Sequence, residues 1–166
     1  MKKNILTIVL ILFCCSLLQA QTEKDEGESK AFKVLKERMN APAATDIDKS
    51  ISLDALVAKN GEKDWSTSKA AAIEGYVMQV EKEEDGDYHI VLTSKAGETD
   101  TKKWVIVEVI PAWQKKNPSL SGEKLRDLYG KKVRVTGWLF YEPDPSQADP
   151  RGTRWEIHPV TSIEII

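Results

Sequence analysis

From Ala71 to the C-terminus, apolar and polar positions alternate in short runs broken by turn residues, the period of strands that bury one face. Ile73 to Val80 is rich in β-branched and aromatic residues and leads into Glu84-Asp85-Gly86-Asp87. Asp-Gly between two such runs predicts a hairpin with positive φ at both turn positions. The return strand is Tyr88 to Thr93, and a third strand runs from Lys103 to Ile110, where Pro111 ends it because it cannot donate to a sheet. After a polar stretch, Leu120 to Gly130 predicts a short helix: Ser121 caps it, Leu120 packs back on Leu125, and Gly130 closes it. In a fourth strand, Lys132 to Tyr141, Val133, Val135 and Leu139 share one face while Arg134, Thr136, Trp138 and Phe140 share the other. A fifth runs from about Thr153 to Ile166.

Ahead of the strands the pattern differs. Ala31, Leu35 and Met39, with Phe32 alongside, repeat at helical spacing before Pro42. A second short helix is predicted at Ser52 to Val57, with Ser52 able to cap its first amides and Gly61 beyond its end. Both are expected to pack on the strands, with Trp138 and Phe140 as the surface that receives them. Lys2 and Lys3 precede an aliphatic run from Ile5 to Leu18, and Ala20 stands before Gln21. That succession predicts a signal peptide over residues 1–20. It is too short for the roughly 20 apolar residues of a spanning helix, and the residues after it turn abruptly charged, so no transmembrane segment is expected in the mature chain. A polar leader over 21–30, a helical extension over 31–70 and a strand domain over 71–166 complete the expected organisation. The expected location is periplasmic or secreted.

Cleavage removes Cys14 and Cys15, which excludes disulfides and thiolate chemistry from the mature chain. It also removes two lysines, leaving 22 Lys and Arg against 26 Asp and Glu. Affinity for nucleic acid comes mainly from cations that neutralise phosphates. On that net balance the expected partner is an envelope protein or glycan, ranked ahead of nucleic acid.

Three strands, a helix and two more strands is the order of a five-stranded Greek-key barrel, β-β-β-α-β-β, and the fold expected is mainly β, with short N-terminal helices. Gly130-Lys131-Lys132-Val133-Arg134-Val135-Thr136-Gly137 resembles the helix-to-strand entry common in OB-fold domains. Asp85-Gly86-Asp87-Tyr88-His89 and Trp155-Glu156-Ile157-His158-Pro159-Val160 resemble segments of small exported bacterial OB-like proteins. The resemblance implies recognition through the loops joining strands one to two and four to five. Tyr88, Trp104, Glu142, Asp144, Arg151 and Arg154 are the candidate ligand contacts, and the proline-bearing connection from Glu142 to Gly152 is the longer of those loops.

The two histidines each follow an acid by two positions within a strand, Asp87 before His89 and Glu156 before His158, so each acid shares its histidine's face. With Glu108 on the neighbouring third strand they form a candidate metal set, Asp87, His89, Glu108, Glu156 and His158. Imidazole with carboxylate suits zinc and related divalent ions, or general acid-base work; the plain alternative is a pair of structural hydrogen bonds. The acids of the first hairpin, Glu81 to Asp87, lack the spacing of a calcium loop. No nucleophile elbow, glycine-rich phosphate loop or His-Glu-x-x-His helix is present. The expected function is therefore a non-catalytic binding module. A metal-dependent, phosphodiesterase-like hydrolase built on the histidine-acid pairs is the first alternative, and a domain for single-stranded nucleic acid the second.

Overall fold

A computed structural model of the chain describes residues 30–58, 65–142 and 151–166. The expected signal peptide, Gly61, Asp144 and most of the Glu142 to Gly152 connection lie outside them. The chain divides into Met1–Leu35 and Lys36–Ile166. The described part of the first unit is helical, within α1 at residues 30–36.

In the second unit, α2 is Leu53–Ala58, and Ser52 Oγ accepts from the Ala55 amide at 3.1 Å, the cap expected from the sequence. The strands are β1 (Ala70–Lys82), β2 (Tyr88–Thr93), β3 (Val105–Val109), β4 (Lys132–Tyr141) and β5 (Trp155–Ile165). They close in the order β1-β2-β3-β5-β4, and every neighbouring pair is antiparallel except β3 with β5. Between β3 and β4 lie α3 (Pro111–Lys116) and α4 (Gly122–Arg126). A closed barrel in this order, with a helix bridging β3 and β4, is the OB-fold.

Alternate residues of every strand fill the barrel: Ile73, Ile90, Val107, Val135 and Ile157 are all 1% exposed or less. Each such side chain contributes about 1.5–3 kcal/mol on burial. Trp138 and Phe140, on the opposite face of β4, are buried as well. Residues Lys36 to Asn40 run across them: Trp138 Nε1 donates to the Asn40 carbonyl at 2.8 Å, Arg38 stacks 4.8 Å from the Trp138 ring, and Lys36 Nζ lies 5.0 Å from the Phe140 ring centroid. Trp113 Nε1 and Lys116 Nζ hold the same segment through the carbonyls of Arg38 and Met39.

Three local expectations are corrected. The first hairpin turns through three residues, not two: Glu83 N donates to Asp87 O, Gly86 N donates to Glu83 O, and only Gly86 takes positive φ, at 93°. Asp-Gly suits that geometry equally well, because the third loop position is the left-handed one. The polar stretch after β3 is α3, since Pro111 occupies a first helical position where no amide is needed. Ser121 precedes α4, but its side chain makes no capping hydrogen bond.

Candidate functional site

The register of three adjacent strands lays one row of ionisable groups across the barrel wall. His89 and Glu108 are direct partners in the β2–β3 pairing, and Val107 pairs with Ile157 where β3 runs parallel to β5. Val107 and Ile157 point into the core, so by the period of two their neighbours Glu108, Glu156 and His158 face outward. Outward here does not mean solvated. Glu108 is 4% exposed, and Glu156 and His158 are 1% each. The Phe140 ring packs 5.5 Å from the His158 ring, and Arg151 pairs with Glu156 from the end of the β4–β5 connection.

Glu108 stands at the centre. Its Oε1 lies 2.9 Å from His89 Nε2, and its Oε2 lies 2.6 Å from His158 Nδ1. The far side of the His158 ring faces Asp87, with Nε2 to Oδ2 at 3.9 Å, while Glu156 Oε2 is 3.8 Å from Nδ1. Despite these approaches, neither His158 nitrogen makes an aligned hydrogen bond, and Glu156 Oε2 is also without one. His89, nearer the surface, has Glu83 Oε1 at 3.7 Å from its second nitrogen.

The titration behaviour follows from this crowding. Burial works against a charged His158, but the negative carboxylates of Glu108 and Glu156, 2.6 and 3.8 Å from Nδ1, outweigh it and raise the ring to about 9. His89 is raised in the same way, burial again opposing and Glu108 prevailing. Burial raises Asp87 to about 6, with Asp85 adding to it, and burial raises Glu156. Glu108 is also desolvated, yet its two histidines hold its carboxyl far below the ordinary range. Lys36 is raised because Glu108, Glu142 and Glu156 together outweigh its burial.

All five residues of the metal set read from the sequence thus occupy one cluster, and Asp87, Glu108 and His158 each offer a ligand atom within 4.8 Å of the others'. Lys36 was not foreseen; it is far away in sequence, and nothing in its local pattern points to the barrel wall. The candidate ligand contacts are scattered. Tyr88 is buried at 4% and its hydroxyl accepts from Arg126 Nη1 at 2.9 Å, which places it in the core instead of on a binding surface. Trp104 is half-buried with its ring nitrogen enclosed. Glu142 lies 3.4 Å from Lys36 Nζ, and its carbonyl accepts from Arg154 Nε at 2.9 Å. Arg151 serves Glu156, and Asp144 lies outside the described residues.

None of the five tryptophans is exposed; the open aromatic ring among the described residues is Tyr129, at 69%. It follows α4 and precedes Gly130, whose φ is 74°, and Lys131 and Lys132, both exposed. Lys124 and Arg126 are exposed on the same short stretch.

The fold and these surfaces define an OB-fold domain. No protein-family model matches the chain, and no curated protein matches it. Among solved structures it is similar to the Stn1–Ten1 complex of S. pombe, at 18% identity over 58% of this chain and 57% of that one, with a TM-score of 0.38. It is also similar to an asparaginyl-tRNA synthetase of Entamoeba histolytica, at 16% identity over 70% of this chain but 23% of that one, TM-score 0.44. A third is OBody AM2EP06 bound to hen egg-white lysozyme, at 13% identity over 72% and 94%, TM-score 0.45. The chain spans little more than half of the first and under a quarter of the second. These are likenesses of fold. The expected order of partners, an envelope protein or glycan ahead of nucleic acid, is withdrawn, because it rested on net charge alone. The physical flaw in that order is that a net charge averages over a surface, whereas Lys124, Arg126, Lys131 and Lys132 crowd a single exposed stretch.

Proposed function

We propose that the chain is a non-catalytic binding domain for single-stranded nucleic acid, with the surface around Tyr129 as its contact. The observation that supports this reading is an exposed aromatic ring on a stretch that also exposes Lys124, Arg126, Lys131 and Lys132, the last 3.5 Å from Glu74, with Gly130 in a left-handed turn beside it. A base stacked on such a ring gains about 1–3 kcal/mol, and any base can supply the π-face. The cations follow the backbone; Arg126 is already anchored by its bond to the Tyr88 hydroxyl. Glu123 and Asp127 on the same stretch offset part of the charge, so binding is weak at physiological salt and steep in its salt dependence.

Fluorescence anisotropy with labelled oligo-dT and oligo-U at low ionic strength tests the reading. Tyr129→Ala should weaken binding roughly tenfold, and Lys131→Gln should lower the salt slope by about 0.7. Absence of binding at low salt, or a Tyr129→Ala variant that binds like the parent, overturns it.

A further inference from the structure

Three carboxylates, those of Asp87, Glu108 and Glu156, converge on one imidazole that is 1% exposed and has both nitrogens without an aligned hydrogen bond. Arg151 compensates Glu156, and His89 occupies one oxygen of Glu108. That leaves Asp87, with Oδ2 3.9 Å from Nε2, and the second Glu108 oxygen, 2.6 Å from Nδ1, as the carboxylates that share the ring.

We propose that Asp87, Glu108 and His158 form a binding site for a divalent transition metal of the zinc class. Atoms bound to one such ion at about 2.0–2.2 Å stand roughly 3–4 Å from each other. The three residues offer ligand atoms within 4.8 Å of one another, so a side-chain adjustment of about an ångström closes the set. One imidazole with two carboxylates suits zinc, cobalt or manganese better than calcium, which takes 6–8 oxygens. Three protein ligands leave a position open for water or a ligand. Asp87, half-buried beside the β1–β2 hairpin, is the side from which an ion enters. His89 is a positioning residue: its Nε2, 2.9 Å from Glu108 Oε1, fixes the direction in which Glu108 presents its other oxygen.

The site is tested on the full chain carrying Cys14→Ser and Cys15→Ser, so that no thiolate contributes. Chelator-stripped protein is titrated with zinc by calorimetry and with cobalt(II) by visible absorption. One equivalent of zinc should bind, with no comparable heat from calcium, and cobalt should give the spectrum of a nitrogen and oxygen site. His158→Gln and Asp87→Asn should each lower zinc affinity by ~100-fold or more, and His89→Gln by roughly 10–100-fold with an altered cobalt spectrum. Circular dichroism shows whether each variant folds. If His158→Gln does not, Asp87→Asn at the edge of the cluster decides alone. A parent protein that takes up no zinc, or a folded Asp87→Asn variant with unchanged affinity, overturns the site.

Discussion

At the scale of single residues, the barrel tolerates least where backbone meets backbone. Gly137 sits in β4 at the irregular register with β5, and a Cβ there would lie 2.4 Å from the Pro159 carbonyl oxygen and 2.9 Å from Val160 Cα. Neither neighbour is the end of a flexible side chain, so relief requires moving a strand. Gly137→Ala should therefore cost at least the 1–3 kcal/mol typical of overpacking, read as a lower urea midpoint with an unchanged slope. Gly130 is the contrast. Its φ of 74° makes Gly130→Ala strained, but no atom lies within 4 Å of the added carbon, so the loss stays near the lower end of about 1–3 kcal/mol. Equal losses at the two positions would contradict this account of β4.

At the scale of elements, the segment from Lys36 to Asn40 behaves as a strap over the outer face of β4. Its carbonyls are held by side chains of α3 and β4, through Trp113, Lys116 and Trp138. Trp138→Phe keeps the ring on the wall but removes the bond to Asn40, whose carbonyl can turn to water. The expected destabilisation is about 0.5–1.5 kcal/mol by urea unfolding. The same strap helps seal the acid–histidine row, because Lys36 covers Phe140 and Phe140 covers His158. Hydrogen exchange at residues 36 to 40 should accelerate in Trp138→Phe while β2 and β3 stay protected; unchanged exchange would show that the strap is held by something else.

At the scale of the molecule, stability depends on pH through this buried row. In metal-free protein His158 is raised from 6.5 to about 9, so its contribution is complete below about 6.5 and is lost as pH rises through 9. Asp87, raised from 3.8 to about 6, adds a smaller loss over that lower window. Glu108 acts in the opposite sense: its lowered carboxyl stabilises above its ordinary 4.5, and the contribution disappears as pH falls below it. The thermal midpoint should therefore peak in mildly acidic solution and fall toward pH 9, and His158→Gln should flatten the alkaline limb. A midpoint still rising from pH 6.5 to 9 would remove the charged His158–Glu108 pair. For the N-terminal residues we expect intact mass of protein recovered outside the cytoplasm to begin at Gln21; a product retaining Met1 would end the signal-peptide reading.

The sequence by itself determined the strands, the helix before β4 and their order along the chain, because burying one face of a strand forces apolar residues into every second position. It also placed Asp87 with His89 and Glu156 with His158, since that same period fixes which side chains share a face. It could not choose between two and three residues for the hairpin turn, because Asp-Gly satisfies both, nor see that Pro111 begins α3 as well as ending β3. Only the tertiary structure brought the two histidine-acid pairs together. That step depends on β5 lying parallel beside β3, a contact across about fifty residues that no local pattern encodes. Only the structure enclosed the row under Phe140 and Lys36, turning surface-type residues into a buried cluster, and only the structure left Tyr129 open while burying Tyr88. Local periodicity decides which way a side chain points; what then lies in front of it is decided by the packing of distant segments.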